Sequence, residues 1–141
     1  MRLILDTSVI VSAFRSRHGA SRMLLDMLYA GKFEALASQA LFLEYRDVLY
    51  RPEQLAAHKF PEERLTGLLR DLADRMTPVE IHFRYRPQLR DPDDELVLEA
   101  ALNGGAEAIV THNVRDFLPA ATLHGIEILT PGRIIRKRFR S

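Results

Sequence analysis

Four short, mostly apolar runs recur along the chain, at Leu3-Ile4-Leu5, Ala35-Leu36-Ala37, Ala108-Ile109-Val110 and Ile126-Glu127-Ile128-Leu129. Runs that are apolar on consecutive rather than alternate residues suit short strands buried on both faces. Between them lie longer stretches whose apolar residues recur with a helical period, over residues 20–30, 39–50, 61–75 and 92–103. Strands that alternate with helices predict a parallel sheet covered on both faces. Residues 76–83 are a further candidate strand, with Pro78 inside it. The expectation is an α/β chain, an α/β/α sandwich around a parallel sheet of about five strands, the ordinary sheet size.

Punctuation supports these boundaries. Ser38 is placed to cap the helix from Gln39, and Asp91-Pro92 is a helix start with Asp91 as N-cap and Pro92 at the first helical position. Gly104-Gly105 ends that helix. Residues 84–90, with Pro87 and three arginines, read as a surface loop crossing back toward the sheet. Internal repeats and low-complexity segments are absent from the sequence. A chain of 141 residues has room for one well-packed domain, 1–141, and not for two ordinary ones.

Composition matters mainly for what it excludes. The chain has no cysteine, so disulfides, thiol catalysis and cysteine-ligated zinc are ruled out and chemistry must come from oxygen and nitrogen groups. Residues 1–10 begin apolar, but Asp6 interrupts them, and neither a basic leader nor a small-residue cleavage site flanks them, so they do not read as a signal peptide. No stretch approaches the roughly 20 apolar residues of a membrane span, which makes the cytoplasm the expected address. A net charge of +1 does not by itself imply a nucleic-acid partner. The basic cluster of Arg133, Arg136, Lys137, Arg138 and Arg140 suits either a solvated helix end or an RNA contact.

The acidic residues carry more. In open α/β sheets ligands bind beyond the carboxyl ends of the strands. Asp6 ends the first run, and Thr111-His112-Asn113-Val114-Arg115-Asp116 follows the Ala108 run, so a parallel sheet delivers both to the same end. Asp94 precedes Val97 by three residues and Ala101 by seven, which continues an apolar stripe. Glu44 follows Leu41 by three and precedes Val48 by four, against the buried side of its helix. Such carboxylates are costly unless paired, hydrogen-bonded or bound to metal. Plainer readings stand beside this one. Asp6 or Asp116 suits a turn, Asp91 and Asp93 suit the cap and dipole of the following helix, and Glu44 suits a stripe's border. Jointly, carboxylates at one end of a sheet point to a hard cation, Mg²⁺ or Mn²⁺.

The segments Leu3-Ile4-Leu5-Asp6-Thr7-Ser8-Val9-Ile10, Leu43-Glu44-Tyr45, Asp91-Pro92-Asp93-Asp94-Glu95 and Ala108-Ile109-Val110-Thr111-His112-Asn113-Val114-Arg115-Asp116-Phe117, in this order, resemble the PIN-domain family over nearly the whole chain. Within it the chain resembles the VapC-like ribonucleases, the toxin component of bacterial toxin–antitoxin systems. The resemblance implies that Asp6, Glu44 and Asp94 occupy the first three acidic positions, with Asp94 preferred to Asp93 by its spacing to Ala100-Ala101. Some members carry Asp at the position of Asn113; others have Asn followed three residues later by Asp, as here. Asp116 is accordingly the fourth carboxylate and Asn113 a neutral site residue. Asp6 and Asp94, joined by Glu44 and Asp116, are the implied metal ligands. Thr7, Ser8 and Thr111 are implied to orient carboxylates or water, although Ser8 also suits a cap for a following helix.

One or two Mg²⁺ or Mn²⁺ ions in such a site polarise a phosphodiester, activate water for in-line attack and stabilise the leaving oxygen. The resemblance further implies a single-stranded RNA substrate, a 5′-phosphate on one product, a homodimer, and a small antitoxin that occludes the site. Arg15 and Arg17, with His18, are candidates for backbone phosphate contacts, or else a plain charged loop. His112 suits either proton transfer or a structural role. Two other classes remain. Haloacid-dehalogenase-like phosphatases place a nucleophilic Asp after an apolar strand, but usually with a second Asp where this chain has Ser8, and no catalytic lysine is evident. A catalytically inactive PIN-fold RNA-binding or interaction module is the other, favoured by Asn113.

Overall fold

The computed structural model describes residues 1–84 and 89–139. Strands β1 (Arg2–Leu5), β2 (Glu34–Ala37), β3 (Met76–Pro78), β4 (Ala108–Val110) and β5 (Glu127–Leu129) form one sheet in the order β3-β2-β1-β4-β5. Every pairing is parallel. Helices α1 (Thr7–Arg15) and α2 (Ala20–Tyr29) join β1 to β2, and α3 (Gln39–Leu49), α4 (Pro52–His58) and α5 (Glu62–Arg75) join β2 to β3. Helix α6 (Pro92–Gly104) leads to β4, α7 (Val114–His124) to β5, and α8 (Pro131–Ile134) runs into a π-helical turn, Ile135–Phe139. This is the expected α/β/α architecture.

Continuous apolar strands follow from burial on both faces. Leu3, Ile4, Ala35, Leu36, Ala108, Ile109 and Val110 are all 0% exposed. Helix α6 packs against β1, β2 and β4 as well as α3 and α7. Its last turn lies so close to the sheet that a Cβ on Gly104 would sit 2.9 Å from a Val79 methyl and 3.0 Å from a Leu36 methyl. Gly105 then terminates the helix at φ 64, a left-handed conformation that favours glycine. The expected caps are also present: the Ser38 hydroxyl accepts from the Leu41 N–H, and the Asp91 carboxylate from the Asp93 N–H.

The strand expected over residues 76–83 closes at Pro78, on the edge of the sheet. Only the Val79 N–H, donating to the Ala37 carbonyl, carries the pairing one residue further. In the segment 84–90, residues 85–88 lie outside the described residues, as does Arg140 of the basic C-terminal cluster. Within that cluster Lys137 and Arg138 pair with Glu127 on β5. Among the described residues no helix is long and apolar enough to cross a membrane.

The topology sets where a ligand can enter. From β1 the chain runs outward through β2 and β3 on one side, while β4 and β5 build the other. The order reverses between β1 and β4, whose last residues, Leu5 and Val110, are in register. Beyond that pair the chains diverge and leave a crevice at the carboxyl ends of the strands.

Candidate functional site

Asp6 stands at the floor of this crevice. Its N–H donates to the Val110 carbonyl at 2.9 Å, prolonging the β1–β4 ladder and fixing the backbone. Although Asp6 is the residue before α1, its side chain makes no cap hydrogen bond. Instead Oδ2 accepts from Ser8 Oγ and from Thr111 Oγ1, each at 2.7 Å. The hydroxyls are themselves aimed: Ser8 Oγ accepts from the His112 N–H at 3.2 Å and Thr111 Oγ1 from the Asn113 N–H at 2.9 Å. Since a backbone N–H can only donate, each hydroxyl proton is left for Asp6. Oδ1 accepts from no described residue, and no described Lys, Arg or His pairs with the carboxylate. Asp6 is 4% exposed and Thr111 0%.

The other carboxylates arrive from α3, α6 and α7. Burial pushes Asp94 up to about 7, and Asp6, Asp91, Asp116 and Asp93 all push in the same direction. Asp94 therefore stands within electrostatic reach of both Asp6 and Asp116. Glu44 is also raised, by burial first and then by Asp93, Asp47 and Asp91, against the opposing pull of Arg51. It thus feels the acidic start of the same helix, at Asp91 and Asp93. Its height is set by its neighbour Tyr45, which is completely buried and donates its hydroxyl to the Leu5 carbonyl. Asp94, Asp91 and Asp116 line a cleft of about 700 Å³ together with Leu89, Arg90, Arg115 and Pro119.

Residues 2–115 match the PIN domain family. The chain belongs to that family. The matching span takes in Asp6, Glu44, Asp94 and Asn113 and stops one residue before Asp116. No curated protein matches the chain by sequence. Among solved structures the fold is similar to the crystal structure of VapBC2 from Rickettsia felis bound to a DNA fragment from their promoter. The TM-score is 0.59 with 15% identity, over 91% of this chain and 97% of that one. At that identity the likeness is one of fold.

In this PIN domain, then, Ser8 and Thr111 hold Asp6, Asp94 and Asp116 line the neighbouring cleft, and Asp94 feels the charges of both Asp6 and Asp116. Thr7 starts α1, but its hydroxyl makes no hydrogen bond among the described residues. Asn113 contributes through its backbone: its N–H aims Thr111, and its carbonyl accepts from the Asp116 N–H at 3.0 Å. His112 Nε2 lies 2.9 Å from the hydroxyl of Ser21, which is buried. Arg15 and Arg17 are elsewhere, lining a separate cavity of about 470 Å³ at the far end of α1.

Sequence reasoning missed several groups. Tyr45 was legible as part of a core stripe with Leu41 and Leu49, but not as the residue that positions Glu44. Glu95 and Glu99 are each 5% exposed, and Glu95 Oε1 accepts from the Leu89 N–H at 2.6 Å, anchoring the chain as it enters α6. Their signal was an acidic pair four residues apart in a helix that is otherwise apolar on most sides. Arg90 and Arg115 at the cleft carried no pattern.

A divalent ion can be tested against these donors. Among the described residues no group of three or more acidic or histidine side chains closes around one point. Mg²⁺ does not need a closed cage, since it keeps several waters and takes one or two carboxylates plus substrate phosphates. Oδ1 of Asp6, held in orientation with no partner among the described residues, and Asp94, whose carboxyl is raised by burial and by four neighbouring aspartates, fit such an ion.

Proposed function

We propose that the 141 residues form one nuclease domain that cleaves single-stranded RNA with Mg²⁺ or Mn²⁺, acting in the cytoplasm as the toxin of a type II toxin–antitoxin pair. The observation that carries this reading is the Asp6–Asp94 pair, one carboxylate immobilised by Ser8 and Thr111, the other crowded by negative charge. Asp6 and Asp94 hold the ion, with Asp116 and Glu44 at its margin. When bound, the ion supplies charge stabilisation at the phosphodiester and activation of water for in-line attack. Ser8 and Thr111 keep Asp6 from rotating as the substrate enters. Tyr45 holds α3, and with it Glu44, against the end of β1. Asp116, exposed at the start of α7, is free to adjust to the incoming phosphate.

The fold shared with VapBC2 supports a small antitoxin partner that covers the acidic cleft. Leu118 and Leu123, 45% and 76% exposed on α7, supply apolar surface for a homodimer. A second reading, an inactive PIN-fold RNA-binding module, draws on Asn113 and on the lack of a three-ligand group among the described residues.

The test is cleavage of a fluorescent single-stranded RNA by wild type and Asp6→Asn, freed of any co-purifying partner, in Mg²⁺, Mn²⁺ or EDTA, with mass determination of product ends. Metal-dependent cleavage leaving a 5′-phosphate, absent from Asp6→Asn, is the expected result. Intact RNA under every condition with binding retained selects the inactive module.

A further inference from the structure

The acidic cleft presents an electrostatic problem to any RNA. Asp91, Asp94 and Asp116 line it, and a phosphate backbone approaching them is repelled. The same walls carry Arg90, immediately before the N-cap of α6, and Arg115, in the first turn of α7. Both are exposed, and neither forms an ion pair or hydrogen bond with the carboxylates that share the cleft among the described residues. Arginines that stay apart from neighbouring aspartates keep their guanidinium forks open to an external anion. A planar fork matches the oxygens of a phosphate better than a point charge does.

A second arginine-rich wall is in the wrong place for this task. Arg15, Arg17, Arg22 and Arg64 line the cavity at the carboxyl end of α1. Nine helical residues separate it from Asp6, on the order of 13 Å at 1.5 Å per residue. One of those arginines is already paired, Arg22 with Asp26 at 3.2 Å.

Resting on the nuclease reading, we infer that Arg115 and Arg90 are the phosphate-binding residues of the cleft, gripping the RNA backbone beside the scissile phosphate while the carboxylates hold the ion. The two come from separate elements, the residue before the N-cap of α6 and the first turn of α7, and line the same cleft, so they contact the strand at two points. They bind substrate and transition state alike, and their loss appears in KM and not in kcat.

The experiment combines steady-state cleavage of a labelled single-stranded RNA in Mg²⁺ with binding anisotropy in an Asp6→Asn background, each over a range of salt. Variants are Arg115→Ala, Arg115→Lys, Arg90→Ala and, at the distant cavity, Arg64→Ala. Each alanine in the cleft is expected to raise KM and Kd about tenfold with kcat nearly unchanged, and to reduce the slope of log affinity against log salt by about 0.7, one single-strand phosphate contact. Arg115→Lys recovers the slope but only part of the affinity, and Arg64→Ala matches wild type. If wild type cleaves RNA while both alanine variants keep its KM and slope, the clamp is wrong and the nuclease reading stands. A fall in kcat alone makes Arg115 a support for Asp116 and also overturns the clamp. Wild type that neither binds nor cuts RNA overturns clamp and nuclease together.

Discussion

Asp6 and Asp116 each follow a strand of the same sheet, yet they are built into the molecule in opposite ways. Asp6 is 4% exposed, its backbone is tied to Val110, and its Oδ2 is held by two hydroxyls that backbone N–H groups aim. Asp116 lies exposed in the first turn of α7, and no described residue bonds its side chain. Under the proposed nuclease function, a fixed carboxylate at one end and an exposed one at the other would suit a site that binds an ion and then adapts to a phosphate. It also ranks the carboxylates: function should tolerate change at the exposed end far better than at the fixed one.

Asp6→Asn is expected to have the largest effect, a loss of cleavage on the order of 10³-fold with the fold retained, measured by initial rates beside circular dichroism. Equal losses in Asp6→Asn and Asp116→Asn would erase the distinction between the two ends. Next comes Thr111→Val, which keeps the shape of the side chain but removes the donor to Asp6 and the acceptor for Asn113. Mn²⁺ affinity or activity should fall about 10- to 100-fold, the usual cost of losing a partner that orients a ligand. Asp116→Asn should lose no more than about tenfold, at the bottom of that range.

The smallest effect concerns stability. Burial and the neighbouring aspartates push the Asp94 carboxyl up to about 7 from its ordinary 3.8, so the folded state holds the extra proton between those values. Without divalent ions, stability should therefore fall as pH rises from about 4 toward 7 and level off above it. Because Asp94 is partly exposed, solvent screening reduces the effect to about 1 kcal/mol. In metal-free buffer at pH 8, Asp94→Asn should be more stable than wild type by that amount in urea unfolding, and Mg²⁺ should narrow the gap. An Asp94→Asn variant less stable than wild type would mean that Asp94 is a structural carboxylate.

What could be read from the sequence follows the same division. Strands buried on both faces announce themselves as apolar runs, and α6 is bounded by Asp91-Pro92 and Gly105, whose chemistry is local. Helices α4 and α7 were not legible: Arg51-Pro52 and the interior Pro119 look like breaks until packing decides otherwise. The PIN resemblance brought in Asp6, Glu44, Asp94 and Asp116 because acidic spacing is written along the chain. The geometry around Asp6 was not written there, since the Thr111 hydroxyl reaches it across 105 residues. Arg15 and Arg17 illustrate the converse. They stand near Asp6 in sequence, but α1 carries them away to a separate cavity at its other end, while α7 brings Arg115 to the cleft that Asp94 and Asp116 line.

The central claim is that the uncompensated carboxylates are arranged for a divalent ion. Electron paramagnetic resonance of Mn²⁺, titrated into the purified chain at pH 8 and again below pH 6, with Asp6→Asn in parallel, addresses it directly. Saturable binding at pH 8 that weakens as Asp94 protonates below about 7 and is lost in Asp6→Asn is the expected result. No saturable Mn²⁺ at pH 8, or equal affinity in wild type and Asp6→Asn, would contradict it.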